Sequence, residues 1–212
     1  MRKFLLSRAA KVLVFLVCSV PAIAIVVKVV AGVPNAVETI QLGTGDWTLR
    51  FLVITLAITP LRKALRVPEL IRFRRMFGLF AFAYLCLHFL AYLGPDQSFS
   101  LSAMLKDVVK RPFILVGFLA FLLMIPLAVT STQGMIRRLG GRRWQQLHRA
   151  IYLIAILGVI HYYWKVKSDT RDPIFYGVLV AVLLLYRLVD WLLKKRQANL
   201  AAPRVTQPSL NS

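Results

Sequence analysis

Apolar residues recur along the chain in six blocks that are separated by short polar or basic segments. A hydrocarbon core about 30 Å thick needs about 20 helical residues, because an α-helix rises 1.5 Å per residue. Blocks of roughly this length predict membrane-spanning helices. The predicted spans cover residues 12–33, 47–61, 76–93, 112–130, 144–164 and 173–193.

The first two blocks differ from the others. The first follows a basic lead and contains Ala22-Ile23-Ala24, which resembles a signal-peptide cleavage site, but its apolar run continues past that point. We therefore expect a retained first helix, with Pro21 as a kink. The second block is the shortest and contains Arg50.

Charge predicts the orientation of these helices. The chain has 212 residues, 58% of them hydrophobic, and a formal charge of +20. Its basic residues lie between apolar blocks, which is typical of cytoplasmic loops and not of the single basic face of a nucleic-acid binder. Lys and Arg residues are concentrated on one side of the predicted membrane. There are four in the N-terminal segment, six in the connection 62–75, four in the connection 133–143 and four in the tail, whereas the remaining connections together hold six.

The sequence therefore predicts an all-α polytopic membrane protein. We expect a six-transmembrane-helix bundle over residues 1–197, with both termini in the cytoplasm. Residues 198–212 are predicted to form a short, disordered cytoplasmic tail.

All three histidines lie inside predicted spans, where ionisable side chains are costly and often functional. His88 is 13 residues after Arg75 in the third span, and His161 is 13 residues after His148 in the fifth. Both spans run outward from the cytoplasm, so His88 and His161 are predicted to share one depth near the outer face. Two such imidazoles suit the axial positions of a haem iron, whereas zinc needs three or four ligands. Hydrogen bonding between helices is the alternative.

His148 is expected about 20 Å below His161, level with Arg74 and Arg75 and not with another histidine. It is either a ligand of a second haem whose sixth ligand is unusual or missing, or a histidine bonded to backbone or to a lipid headgroup. Arg74, Arg75 and Arg149 can pair with haem propionates or with the phosphate of a flavin nucleotide. Anchoring of loops to anionic lipid is the more common role of such arginines.

Other classes of function fit some of these residues. Intramembrane histidines, with Arg187 and Asp190 paired on one face of the sixth span, would serve a small solute or proton-coupled transporter. The sequence shows no inverted repeat that would support a transporter. It also shows no catalytic constellation for reducing a substrate, and an assembly protein whose histidines join helices is a third alternative.

Several stretches resemble the ferric-reductase-like transmembrane domain family. Residues 74–79, followed by Tyr84 and His88, are similar to its third helix. The segment 130–152, which contains T-S-T-Q and W-Q-Q-L-H-R-A-I-Y, resembles its loop and fifth helix, and His161 completes the pattern. Within this family the chain is most similar to the haem-binding membrane subunits of bacterial periplasmic protein-methionine-sulfoxide reductase systems.

That resemblance implies an inner-membrane electron-transfer subunit with haem b. It implies that electrons pass from quinol or a cytoplasmic flavin reductase to a periplasmic molybdenum-containing subunit, which reduces methionine sulfoxide in oxidised proteins. It assigns His88 and His161 to an outer haem and associates flavin mononucleotide (FMN) with the family. Members with two haems carry two histidines on each of the third and fifth helices, whereas this chain has only His88 on the third.

Overall fold

The computed structural model describes residues 2–97 and 99–201, and the regular structure of these residues is entirely helical, which confirms the predicted all-α class. A 3₁₀ turn at Pro68–Leu70 and a π turn at Tyr92–Asp96 flank the fourth α-helix. The predicted tail begins within the last helix, and residues 202–212 lie outside the described part. The described α-helices are α1 (Arg2–Leu6), α2 (Arg8–Val30), α3 (Ala36–Ala64), α4 (Ile71–Ala91), α5 (Leu101–Lys110), α6 (Pro112–Val129), α7 (Gln133–Leu139), α8 (Gly141–His148), α9 (Ala150–Lys165) and α10 (Arg171–Ala201).

Four helical segments of the described chain are long and apolar enough to cross a membrane. They are α2, the segment Pro68–Gly94 that contains α4, α6, and residues Arg171–Leu200 of α10. They coincide with the first, third, fourth and sixth predicted spans. The other two predicted spans correspond to α3, which carries charged residues along its length, and α9, which has 16 residues.

α3 is much longer than the predicted second span, residues 47–61. It begins at Ala36 because the side chain of Asn35 caps its first turn. Arg50 has two polar partners, since its Nε donates to the Tyr176 hydroxyl at 3.0 Å and a terminal nitrogen lies 3.8 Å from the Asp46 carboxylate. A charged side chain within this apolar stretch is thus held by polar partners and does not end the helix.

The predicted fifth span, residues 144–164, is divided in the structure. α8 and α9 are separated at Arg149, where backbone hydrogen bonds tighten to the i→i+3 pattern of a 3₁₀ turn. Trp144 ties α8 to the end of α6, because its indole Nε1 donates to the Thr130 carbonyl at 2.9 Å. The two histidines of this segment therefore lie on different helices, and the prediction of one continuous helix is wrong.

The core lies between two closely packed helix pairs, α3 with α4 and α6 with α9. Phe51, Leu56, Tyr84 and Ile154 are among its most buried side chains. α2 packs on the outside of α3 and α4, and α10 on the outside of α3 and α9. Most of the large apolar side chains of α2 and α10 are exposed, which is the surface expected of helices that face lipid.

The Tyr84 hydroxyl connects α4 to the backbone of α2 beside Pro21. It donates to the Cys18 carbonyl at 2.9 Å and accepts from the Ala22 N–H at 2.8 Å. In an ideal helix this donor and this acceptor pair directly with each other. Pro21 has no N–H and weakens the ladder at the same place, so the tyrosine supports α2 where its own hydrogen bonding is interrupted.

We expect Tyr84→Phe to destabilise the fold, because it removes the bridge between two buried backbone groups. Leaving such groups unsatisfied costs about 1–3 kcal/mol. Thermal unfolding in lipid nanodiscs measures the loss, with Tyr163→Phe as control because Tyr163 is 48% exposed. Equal unfolding midpoints for the two variants would show that the bridge contributes nothing.

The ion pair predicted between Arg187 and Asp190 is not formed. Asp190 binds Lys63 at the end of α3, with 2.5 Å between the ammonium and the carboxylate. Arg187 donates instead to the Tyr152 hydroxyl at 2.9 Å and to the Leu56 carbonyl at 2.8 Å. The prediction compared residues on one helix face, and the actual partners come from neighbouring helices.

Candidate functional site

The imidazoles of His88 on α4 and His161 on α9 meet inside the bundle. Their ring centroids are 6.1 Å apart and their planes are nearly perpendicular, at 83°. The structure thus brings together the two histidines that the sequence predicts to share one depth.

Each of these imidazoles is held by a backbone carbonyl on the preceding long helix. His88 Nδ1 lies 2.9 Å from the Gln41 oxygen on α3, and His161 Nδ1 lies 2.6 Å from the Phe113 oxygen on α6. A carbonyl oxygen only accepts hydrogen bonds, so both Nδ1 atoms carry the proton and both Nε2 atoms keep their lone pair. A metal-binding histidine is typically oriented by such a hydrogen bond.

Two glycines make room for the same two rings. Gly45 and Gly117 each lie four residues after the accepting carbonyl. A Cβ atom on Gly45 would lie 3.1 Å from His88 Cε1, and one on Gly117 would lie 2.6 Å from His161 Nδ1. The arrangement of carbonyl, glycine and imidazole therefore occurs twice, once in the α3–α4 pair and once in the α6–α9 pair.

His88 and His161 line a cavity of about 580 Å³, which we call the outer cavity after the predicted orientation of the chain. This volume is usual for a small-molecule site. Its cationic lining residues lie at helix ends, because Lys165 ends α9 and Arg111 directly precedes α6, and one carboxylate, that of Asp46 inside α3, also lines it. Its apolar lining includes Leu49, Leu52, Leu85, Ala120, Phe121 and Ile154.

The geometry of this pair fits a haem. A metal–imidazole bond is about 2.0 Å and the bonded nitrogen lies about 1.1 Å from the ring centre, so opposite axial imidazoles have centroids about 6 Å apart. The porphyrin supplies four nitrogen ligands, and only two protein ligands are needed. A bare metal ion needs more, and no cluster of three or more His, Cys, Asp or Glu side chains is placed to hold one in the described part of the chain.

A second cavity of about 440 Å³, the inner cavity, brings together His148, Arg74, Arg75 and Arg149. The sequence proposes these four residues for a second cofactor. Among the described residues that line it there are three arginines and no carboxylate. Guanidinium groups bind carboxylates and phosphates with paired hydrogen bonds, so the lining suits an anionic ligand.

His148 is hydrogen-bonded differently from the outer pair. Its Nε2 lies 3.0 Å from the Thr130 hydroxyl, which itself donates to the Pro126 carbonyl at 2.6 Å. His148 therefore donates from Nε2, and its lone pair is on Nδ1. Its ring stacks on Trp144 with 3.9 Å between centroids. In this arrangement His148 anchors α8 to α6, and binding of iron through Nε2 would require the Thr130 bond to break.

The two cavities lie end to end along shared helices. On α4, Phe82 lines the inner cavity and Leu85 lines the outer one. On α6, Met124 lines the inner cavity and Phe121 lines the outer one. The rings of Phe82 and Phe121 stack with centroids 6.5 Å apart and planes at 12°. Roughly one layer of side chains therefore separates the cavities.

Known proteins place the chain in a family. The sequence model described as "Ferric reductase like transmembrane component" matches residues 42–159, which is more than half of the chain. The chain belongs to the ferric reductase-like transmembrane family. This confirms the resemblance noted in the sequence. No solved structure matches the chain.

Within the ferric reductase-like family, similar curated proteins carry the description protein-methionine-sulfoxide reductase heme-binding subunit MsrQ. The protein of Herminiimonas arsenicoxydans is 59% identical over 167 residues, which cover 78% of this chain and 76% of that protein. The protein of Azospira oryzae is 54% identical over 157 residues, covering 74% and 67%. The protein of Caulobacter vibrioides is 46% identical over 193 residues, covering 90% of each.

Sequence reasoning missed several residues around the outer histidines. The two accepting carbonyls belong to the backbone, so no side chain signals them. Gly45 and Gly117 carried a usable signal, because glycine inside a helix costs about 1 kcal/mol relative to alanine and so indicates a close approach. Arg111 and Lys165 entered the sequence analysis only as charges of outer connections.

Proposed function

We propose that this ferric reductase-like protein is a b-type haem electron-transfer subunit of the bacterial inner membrane. It would pass electrons from quinol or a cytoplasmic flavin reductase to a periplasmic molybdenum-containing methionine sulfoxide reductase, supporting repair of oxidised periplasmic proteins. The observation that carries this proposal is the His88–His161 pair. The spacing of the two rings suits one iron, and each Nδ1 is hydrogen-bonded to a backbone carbonyl, which leaves Nε2 free for the metal. The relatives' description as heme-binding subunits of a methionine sulfoxide reductase supports the partner system.

The chain's own residues would hold and isolate the electron carrier. A haem held there would supply a one-electron centre. His88 and His161 would hold it through their Nε2 atoms, and the carbonyls of Gln41 and Phe113 keep the imidazoles in one orientation. Two protein ligands would leave such a centre suited to electron transfer and not to substrate binding. The sulfoxide chemistry would therefore take place on the partner.

We assign the inner cavity to a second planar, anionic cofactor, either a second haem or FMN. Arg74, Arg75 and Arg149 offer guanidinium groups to propionates or to a phosphate. The stacked rings of Phe82 and Phe121 lie between the inner and the outer cavity. A carrier at each level would divide the membrane crossing into two shorter electron-transfer steps.

We propose that α3 and α9 complete a six-span bundle with both termini in the cytoplasm. Arg72, at the start of α4, donates to the Leu5 carbonyl in α1 at 3.2 Å. Lys63, at the end of α3, binds Asp190 in the second half of α10, close to the end of the sixth predicted span. These bonds support placing the basic N-terminal segment, the α3–α4 connection and the C-terminal end of α10 on one side, as the positive-inside rule requires of cytoplasmic segments.

Electron delivery can be tested with the purified protein in lipid nanodiscs. The haem is reduced with substoichiometric dithionite, and its α band is followed after addition of the molybdenum-containing partner and methionine sulfoxide. We expect rapid reoxidation only when both the partner and the sulfoxide are present. A haem that stays reduced with an active partner and its substrate would show that electrons do not leave by this route.

The inner site can be tested by removing its proposed ligands singly. If the cofactor is haem, His148→Ala should lower the haem-to-protein ratio by about half while the outer haem keeps its spectrum. If the cofactor is FMN, Arg149→Gln should release flavin, detected by fluorescence of the denatured extract, with unchanged haem. Variants that alter neither haem nor flavin content would exclude a cofactor held by these residues.

A further inference from the structure

A lysine at the mouth of the outer cavity has no role in the function proposed above. Lys165 is the last residue of α9, one turn beyond His161, and it lines the cavity. It shares this lining with His88 and His161. A positive charge is therefore placed in the cavity that holds both imidazoles.

Lys165 is available to bind an anion. Within the described part of the chain, no ion pair joins it to a carboxylate. Asp46 interacts with it at longer range and is closer to Arg50, at 3.8 Å. The other cation of the mouth, Arg111, already forms a 2.8 Å ion pair with Asp107. The cavity thus presents one neutralised cation and one cation without a paired carboxylate.

The outer cavity has an apolar part and a cationic part, as a haem site requires. A haem is an apolar plate that carries two propionate carboxylates on one edge. The lining is apolar at Leu52, Leu85 and Ile154, and it includes the cations Arg111 and Lys165 together with the Asp46 carboxylate, which lies 3.8 Å from Arg50. A partly buried cation is stabilised by a paired carboxylate, and a propionate supplies one.

The common alternative for a lysine at a helix end is extension toward lipid headgroups. Lys167, two residues further along, fits that role because it is exposed and does not line the cavity. Lys165 differs from it in both respects, since it is half-buried and lines the cavity that holds the histidines.

We propose that the Lys165 ammonium binds a propionate carboxylate of the outer haem and raises the midpoint potential of that haem. The inference rests on the proposed haem at His88 and His161. Reduction adds one negative charge to the haem, and a nearby positive charge stabilises the reduced form. The effect is strong at this position because partly buried charges are screened less than exposed ones.

The test compares Lys165→Gln, Lys165→Arg and the charge-matched control Lys167→Gln in nanodiscs. Spectroelectrochemical titration gives the midpoint potential of the outer haem, and absorbance gives the haem-to-protein ratio. At the wild-type midpoint, we expect Lys165→Gln to lower the ratio of reduced to oxidised haem about tenfold, a shift of about 59 mV for a one-electron couple. Lys165→Arg and Lys167→Gln should stay close to wild type.

Equal shifts in Lys165→Gln and Lys167→Gln would overturn the proposal, because they would reflect net charge alone. If Lys165→Gln loses its haem, the arginine variant decides, since retention with arginine supports carboxylate binding and loss with both variants overturns it. A wild-type protein without haem would refute the proposed function itself. A haem that binds normally but keeps its potential in Lys165→Gln would refute only the role of Lys165.

Discussion

Replacing either His88 or His161 with alanine removes the haem from the outer cavity. Each variant deletes one of two axial nitrogens and leaves the other imidazole with a vacant coordination position opposite it. Loss even of the groups that merely orient a metal ligand weakens metal binding by about 10–100-fold, so loss of the ligand itself should cost at least about tenfold. We expect a correspondingly low haem-to-protein ratio in purified protein.

The measurement is cleanest in a His148→Ala background, where a haem of the inner cavity cannot contribute through that ligand. Bound haem that remains there belongs to the outer site, and adding His88→Ala or His161→Ala should abolish its absorbance. Size-exclusion profiles in detergent control for folding. Well-folded double variants that keep a full complement of haem would show that these histidines are not its ligands.

The second large effect concerns Gly117, which allows the His161 ring to sit against α6. A methyl group there would lie 2.6 Å from His161 Nδ1 and 2.8 Å from its Cε1, well inside van der Waals contact. The ring must then move and lose its hydrogen bond to the Phe113 carbonyl. Overpacking of this kind costs about 1–3 kcal/mol, so Gly117→Ala should lose most of its haem or bind it with altered ligation.

Two other glycines of the cavity provide a graded comparison for Gly117→Ala. A Cβ on Gly45 would lie 3.1 Å from His88, which predicts a milder loss. A Cβ on Gly158 would meet only Leu49 at 3.7 Å, an ordinary contact. Gly158→Ala should keep its haem and gain about 1 kcal/mol of helix stability. Optical spectra that show a different order of haem loss among the three variants would contradict the proposal that Gly117 and Gly45 make room for the imidazoles.

The sequence could predict the helical class because apolar blocks of membrane-spanning length have few other structures open to them. It could not predict the break at Arg149 or the partners of Arg187. Apolar periodicity continues across Arg149, and the contacts that position α8, such as the hydrogen bond from Trp144 to the Thr130 carbonyl, come from another helix. Arg187 is held by Tyr152 and Leu56, which lie far from it in sequence.

The juxtaposition of His88 and His161 was predictable because equal spacing from the basic ends of two helices translates directly into equal depth. The division of the fifth span changes this little, since α9 begins one residue after the break and the rise is nearly preserved. The carbonyls that orient the rings were not predictable, because every residue has a carbonyl and only packing selects one. The same holds for Lys165, whose place in the lining of the outer cavity depends on how α9 packs against α3 and α6.

The most direct test of the central claim is the ligation state of the haem in the purified wild-type protein. Electron paramagnetic resonance of the oxidised protein, with magnetic circular dichroism in the near infrared, distinguishes bis-imidazole iron from other ligand sets. We expect a six-coordinate, low-spin haem with two histidine ligands, and we expect its signal to disappear in His161→Ala. Fully assembled protein that lacks haem, or whose haems are all five-coordinate and high-spin, would contradict it.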